Sequence, residues 1–148
     1  MIQEFIQAWD ANKDRLKEYI GEHLATGLGS YQSLVKALFE QVVNPYLKDN
    51  EKDVYNLECI HEINDSKYEG CLLYVIPLDN YEPSSYDYVL TFAEYGSCPV
   101  CDTLEGIWEY YRIANNPDET VRDLMNLCLH LLQHCKIPYS YNETLDND

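Results

Sequence analysis

Apolar residues recur every three or four positions through the first fifty residues, which is the period of an amphipathic helix. The first series runs from Ile2 to Leu24, with Asp, Lys and Glu between its members. A second series follows the segment TGLGS, with Ser30 as its expected N-cap and Pro45 as its expected end. The first part of the chain is therefore predicted to be a helical hairpin.

From about residue 54 the pattern changes to short runs rich in branched and aromatic side chains, which are typical of strands. Three such runs, VYNLECIHEI, CLLYVIPL and YDYVLTFAEY, are separated by the polar segments NDSKYEG and DNYEPSS. They predict three antiparallel strands in sequence. The middle run is almost continuously apolar, and we therefore expect it to be the central strand, covered on both faces.

The helical period returns after Gly96. Asp102 and Glu105 have the spacing of a capping pair at the start of a third helix, and Asn116 followed by Pro117 marks the start of a fourth. The sequence thus predicts an α+β fold of order ααβββαα, in which a helical hairpin, a three-stranded antiparallel sheet and two further helices follow one another.

Chain length limits the number of domains. At 148 residues, the chain has the size of one ordinary domain, and no internal linker divides it. We expect a single α+β domain over residues 1–138 and a flexible acidic tail over residues 139–148, because the tail has no apolar period.

Charge narrows the classes of partner. The chain has 26 acidic and 10 basic side chains, a net charge of −16, although 46% of its residues are hydrophobic. Such a charge opposes direct binding to a phosphate backbone and exceeds what solubility requires of a small domain. No apolar run approaches the roughly 20 residues of a membrane helix, and the charged opening does not resemble a secretion signal. A cytoplasmic protein without a nucleic-acid or membrane partner is expected.

One stretch has the density of a chemical motif, namely YGSCPVCDTLEG, in which Cys98 and Cys101 form a CxxC pair. At a strand-to-helix junction this pair resembles the dithiol of thioredoxin-like proteins, with Cys98 as the nucleophile and Cys101 as the resolving thiol. The position of the pair late in the chain argues against this interpretation. Asp102 argues against it too, because its negative charge opposes thiolate formation.

A zinc site is the second interpretation of the pair. His130 and His134 lie four residues apart on one predicted helix, so Cys98, Cys101, His130 and His134 would complete a Cys2His2 set. The third interpretation is purely structural. Gly96, Ser97 and Pro99 suit a turn into a helix, and the two cysteines would then pack as small apolar residues.

Tyrosine is the other unusual feature, because the chain has 14 of them. Tyrosine combines a large contact area with a polar tip and is enriched in protein interfaces, although half-buried strands also use it for cross-strand packing. The candidate interaction residues come from the segment around the third strand, and they are Tyr81, Tyr86, Tyr88 and Tyr95.

The block YGSCPVCDTLEGI, the opening MIQEFIQAWDANK and the segment YQSLVKALFEQVVNP together resemble a group of small uncharacterised proteins carried by bacteriophages and prophages of Gram-positive bacteria. The resemblance spans most of the chain and implies no particular activity. It does imply a setting, since small acidic phage accessory proteins often inhibit host machinery, including defence nucleases and DNA-binding enzymes.

The expected function is therefore that of a small acidic, non-enzymatic protein. It would bind the basic surface of a host protein and inhibit that protein, in the manner of a nucleic-acid mimic. A thiol oxidoreductase and a structural zinc protein stay open as alternatives, and they differ in whether the CxxC pair reacts or binds a metal ion. The oligomeric state is not predicted by any feature of the sequence.

Overall fold

The order of helices and strands is seen in the computed structural model, which describes residues 2–64, 70–79, 87–96 and 102–137. Its elements in chain order are α1 (Gln3–Glu22), α2 (Tyr31–Leu38), a π-helical turn (Phe39–Val43), α3 (Asn44–Asp49), a 3₁₀ turn (Leu57–Cys59), β1 (His61–Asn64), β2 (Gly70–Pro77), β3 (Tyr88–Tyr95), α4 (Thr103–Ala114) and α5 (Pro117–Gln133). The predicted order ααβββαα is confirmed, because α2, the π-helical turn and α3 follow one another without a break. The predicted tail lies outside the described residues, and the extent of the domain stays a prediction.

The second helical segment continues past Pro45, which the sequence had predicted to end it. Proline lacks an N–H, and its ring clashes with the carbonyl four residues earlier in an α-helix. Here the preceding turn is π-helical, with the Asn44 N–H bonded to the Phe39 carbonyl five residues back. The wider turn relieves the clash, and the chain remains helical to Asp49.

The core of the helical part is built on three aromatic rings, Phe5, Phe39 and Tyr55, which we call the aromatic cluster. The rings meet edge to face, with centroids 5.8 Å apart for Phe5 and Phe39 and 5.4 Å apart for Phe39 and Tyr55. This arrangement is favoured by the quadrupole of each ring. Phe5 and Phe39 are almost entirely excluded from solvent, so the cluster joins α1 to the π-helical turn through dry packing.

The sheet has the order β1-β2-β3 and is antiparallel throughout. β2 is the central strand, as predicted, but it is not covered on both faces, since only Tyr74 and Ile76 are buried along it. On the same face, Thr91 lies opposite Tyr74 in β3 and is also fully buried. One face of the sheet therefore contributes to the core, and the other is half-exposed in the described strands.

The first strand is shorter than predicted. It was expected over residues 54–63, but regular pairing covers only His61–Asn64. Before it, Tyr55 makes a single bridge to Leu78, and the Asn56 side chain accepts a hydrogen bond from the Glu58 N–H at 3.1 Å. This local bond favours a 3₁₀ turn over the extended ladder, and so the strand begins later.

The last two helices begin where the capping patterns predicted. Asp102 caps α4 by accepting from the Glu105 N–H, and Asn116 caps α5 by accepting from the Glu119 N–H. Cys128 and Cys135 are buried. Within the described parts of the chain, no helix is long and apolar enough to cross a membrane.

Candidate functional site

A cleft of about 760 Å³ opens between the sheet and α4, and its size suits a small ligand or a large side chain. It is lined by Gly29, Ser30, Tyr31, Glu62, Asn64, Leu72, Tyr74, Tyr95, Asp102, Leu104, Glu105, Trp108, Glu109 and Arg112. These residues come from the start of α2, from all three strands and from α4. The cleft therefore lies where the start of α2, the sheet and α4 meet.

Asp102 joins the elements around the cleft, and it is only 6% exposed. Its Oδ1 accepts hydrogen bonds from the Tyr31 hydroxyl at 2.8 Å and from the Glu105 N–H at 3.1 Å. Its Oδ2 accepts from the Gly96 N–H at 3.0 Å. One carboxylate thus joins the start of α2, the end of β3 and the start of α4, and we call Asp102, Tyr31 and Gly96 the Asp102 junction.

Tyr31 has a fixed protonation state at this junction. Its hydroxyl donates to Asp102 and accepts from the Leu104 N–H at 3.2 Å. Burial raises the pKa of Tyr31 above its usual value, and the neighbouring Asp102 carboxylate raises it further. Because the phenol stays protonated at neutral pH, Tyr31 acts as a hydrogen-bonding strut and not as a base.

A second tyrosine–acid pair forms the floor of the cleft. The Tyr74 hydroxyl donates to Glu62 Oε1 at 2.8 Å, and the two residues lie opposite each other on β2 and β1. Burial raises the pKa of Tyr74 above its usual value, and the bond to Glu62 adds to this shift. Nearby, the Tyr95 hydroxyl donates to Asn64 Oδ1 at 2.7 Å. These hydrogen bonds hold the polar side chains that line the cleft in fixed positions.

The wall opposite the sheet is one face of α4. Leu104, Trp108 and Arg112 follow one another at four-residue intervals, so they project from the same side of the helix. The Trp108 indole N–H donates to the Leu28 carbonyl at 2.9 Å, and its ring meets that of Tyr111 edge to face with centroids 5.7 Å apart. The aromatic part of the wall is therefore held in place by the loop before α2.

The cleft is acidic. Its lining contains four carboxylates and a single cationic side chain, Arg112, among the described residues. Arg112 is bound to its neighbour Glu109, with Nη2 2.5 Å from Oε1, so its charge is compensated locally. Glu62 and Glu105 are both exposed and form no ion pair in the described structure. The balance favours a cationic ligand over an anionic one.

The CxxC pair lies outside the described residues, so its redox, metal and structural interpretations all stay predictions. The helix that the pair was expected to open begins at Thr103, and Asp102 is its cap, as the spacing of Asp102 and Glu105 predicted. Within the described ranges, no group of three His, Cys, Asp or Glu side chains is arranged to hold a metal ion. Zinc binding by Cys98 and Cys101 is not tested by that observation.

The two histidines proposed as zinc ligands differ in environment. His130 is exposed on α5. The His134 ring stacks on Phe92 with centroids 4.2 Å apart and planes 5° apart, and its Nδ1 lies 3.2 Å from the Phe92 carbonyl oxygen. His134 therefore has a packing role against β3, whether or not it also contributes to a metal site.

The four candidate tyrosines are also divided. Tyr81 and Tyr86 lie outside the described residues. Tyr88 is half-buried at the start of β3, opposite Pro77, whereas Tyr95 at the other end of the strand lines the cleft. A role for these residues in partner binding stays a prediction, and only Tyr95 is placed at the candidate site.

Several residues of the cleft were not identified from the sequence. Tyr74 was placed only within the apolar run CLLYVIPL, and neither Glu62 nor Tyr31 was a candidate site residue. The spacing of Asp102 and Glu105 indicated a helix cap and nothing more. The bond from Tyr31 to Asp102 joins residues 71 positions apart, and a local pattern does not contain such contacts.

Comparison with protein-family models, with curated proteins and with solved structures gives no match for this chain.

Proposed function

We propose that this protein is a small non-enzymatic accessory protein of the phage type, which binds and inhibits a host protein by occupying a basic, nucleic-acid-binding surface. The observation that carries the proposal is a row of exposed acidic side chains along α1 in a chain whose net charge is −16. Such a surface attracts a basic partner through long-range electrostatic forces and repels nucleic acid.

The acidic row consists of Asp10, Asp14, Glu18 and Glu22, and every member is exposed. The members recur at four-residue intervals, so they advance along the helix by about 6 Å per step. None of them forms an ion pair within the described residues. The basic residues of α1 flank the row, and one of them, Arg15, is directed to Gln41 on the π-helical turn.

A regular line of negative charge resembles the backbone of a nucleic acid in its electrostatic field. A protein that binds nucleic acid gains affinity from releasing counterions as its basic residues meet phosphates. The same basic residues gain in a similar way from carboxylates presented at regular intervals. The acidic row therefore supports a mimic that competes with nucleic acid for its partner.

The contents of the cleft also favour binding over catalysis. The described lining residues supply aromatic rings, carboxylates and tyrosine hydroxyls, and the hydroxyls of Tyr31 and Tyr74 are already hydrogen-bonded within the protein. Tyr31 and Tyr74 stay protonated at neutral pH, because burial raises the pKa of both, so neither phenolate is available to accept a proton. These are features of a recognition surface.

Affinity capture tests the proposal. The intact chain is immobilised, a lysate of a Gram-positive bacterium is passed over it, and proteins eluted by increasing salt are identified by mass spectrometry. We expect basic nucleic-acid-binding proteins that elute as the salt screens the charges. A capture that returns no nucleic-acid-binding protein, or one whose binding does not respond to salt, contradicts the proposal.

A matched pair of variants localises the contact. The double change Asp14→Asn and Glu18→Gln removes two charges from the acidic row, and we expect it to weaken capture. The control, Asp49→Asn with Asp53→Asn, removes the same number of exposed charges elsewhere. Equal weakening by both variants would show that only the net charge matters and that the row is not the contact.

A further inference from the structure

We infer that the cleft between the sheet and α4 is an anchor site for one arginine side chain of the protein partner. This inference deepens the proposed function and depends on it for the identity of the partner. The acidic row on α1 would attract the partner at long range, whereas the cleft would hold a single side chain of it at close range.

The walls of the cleft suit the stem of a long side chain. Its volume of about 760 Å³ is within the usual range of ligand pockets. Leu72 from β2 and Leu104 from α4 supply apolar surface on opposite sides, and the aliphatic stem of an arginine can pack between such surfaces. A compact metal ion or a small anion would leave these apolar walls without contacts.

Two carboxylates of the cleft are placed to bind the charged end of the ligand. Glu105 forms no hydrogen bond or ion pair through its carboxylate within the described residues, and it lies in the first turn of α4. Glu62 uses Oε1 to accept from Tyr74, which leaves Oε2 for a further donor. A guanidinium offers five donors in a planar fork and is therefore suited to bonding two carboxylate groups at once.

An aromatic group adds to the preference for arginine. Trp108 lines the same cleft, and its indole N–H is already bonded to Leu28, so the ring is available for stacking and not for donation. A guanidinium stacks on aromatic faces more readily than an ammonium group does. Arg112, which could repel such a ligand, is already paired with Glu109.

The ligand space is also pre-formed, because the Asp102 junction fixes α4 relative to the sheet. In the described structure, every buried side-chain nitrogen and oxygen atom has a hydrogen-bond partner. The polar groups of the junction are therefore satisfied without a ligand. Binding would then require little ordering of the protein, which lowers its entropic cost.

The test uses the intact chain and a pentapeptide, Gly-Gly-Arg-Gly-Gly, with a matched peptide in which neutral citrulline replaces arginine. Binding is followed by NMR through backbone amides and the Trp108 indole N–H. We expect shifts confined to the three strands, α4 and the start of α2 with the arginine peptide. The citrulline peptide should bind about tenfold more weakly, since a hydrogen bond to a charged group is worth about 1.5 kcal/mol.

Two variants test the carboxylates. Glu105→Gln and Glu62→Gln should each weaken arginine binding by about fivefold, and glutamine at position 62 still has an oxygen to accept from Tyr74. Asp53→Asn, at an exposed position outside both the cleft lining and the acidic row, is the control and should change nothing. The proposal is overturned if citrulline binds as tightly as arginine, or if the control variant matches the cleft variants.

The same titration separates a protein side chain from a free cation. Spermidine, which has positive charge but no guanidinium, should bind more weakly than the arginine peptide. If spermidine binds more tightly, the cleft does not select an arginine side chain. If the peptide binds as expected but affinity capture finds no basic partner, the anchor site stands and the proposed function fails, so the two outcomes are distinguishable.

Discussion

The aromatic cluster and the Asp102 junction are both buried points at which separate parts of the chain meet, but they are held together by opposite means. In the cluster, Phe5, Phe39 and Tyr55 contact one another through ring edges and faces. At the junction, a single carboxylate accepts three hydrogen bonds from groups on three elements.

This difference indicates what each region can tolerate. Dry packing contributes in proportion to the volume and apolar area that are buried, and loses stability when atoms are removed. A buried polar network contributes less net stability. It fixes the relative orientation of the elements that it joins, because every buried donor requires its acceptor. We therefore expect the cluster to determine how stable the fold is, and the junction to determine the shape of the cleft.

The largest loss of stability is expected from Phe39→Ala. Phe39 is fully buried and contacts both other rings of the cluster. Its truncation should lower the free energy of unfolding by about 3 to 5 kcal/mol, measured by urea denaturation followed by circular dichroism. Ile113→Ala is the control, because Ile113 is 70% exposed. A loss below about 1 kcal/mol for Phe39→Ala would show that the cluster is not the centre of stability.

The next effect is expected from Asp102→Ala. The change removes the cap of α4 and leaves the Tyr31 hydroxyl and the Gly96 N–H without their acceptor. We expect a loss of about 2 to 4 kcal/mol, together with weaker binding of the arginine peptide, because α4 loses its attachment. Asp118→Ala, an exposed acid in the first turn of α5, is the matched control. If the two variants lose equal stability, Asp102 has no role beyond the helix dipole.

A smaller effect is expected from Thr91→Val, which tests a single buried hydrogen bond between the sheet and α5. The Thr91 hydroxyl donates to the Leu131 carbonyl at 2.6 Å and is fully buried. Valine keeps the shape but removes the donor, so about 1 to 2 kcal/mol should be lost. Thr103→Val, at an exposed position, should be close to neutral. Equal losses of stability in the two variants would mean that the hydrogen bond from Thr91 to Leu131 does not stabilise the fold.

The smallest perturbation is chemical labelling, which should leave the fold intact. Burial raises the pKa of the Cys128 and Cys135 thiols to about 12, so the thiolate that reacts is scarce at pH 8. Cys59 is exposed. Iodoacetamide followed by peptide mapping should therefore label Cys59 well before Cys128 or Cys135, and denaturation should abolish the difference. Equal labelling rates in the native chain would contradict the burial of Cys128 and Cys135.

The alternation of apolar and polar positions was sufficient to predict the order of the elements, since helices and strands have different periods. It also placed Ser30, Asp102 and Asn116 as caps, because capping depends on residues only three positions apart. Pro45 was misjudged, since its tolerance depends on a π-helical turn that has no clear sequence signal. The cleft was missed for a related reason, as its walls are brought together by contacts such as that from Tyr31 to Asp102.

The salt dependence of binding to the captured host protein is the most direct test of the central claim, which is that this chain recognises a basic surface. Affinity is measured by isothermal titration with the intact chain at 50 mM and at 200 mM salt. We expect it to fall by about tenfold or more, as it does when several charges are neutralised in an interface. An affinity that is unchanged between these conditions would contradict the account.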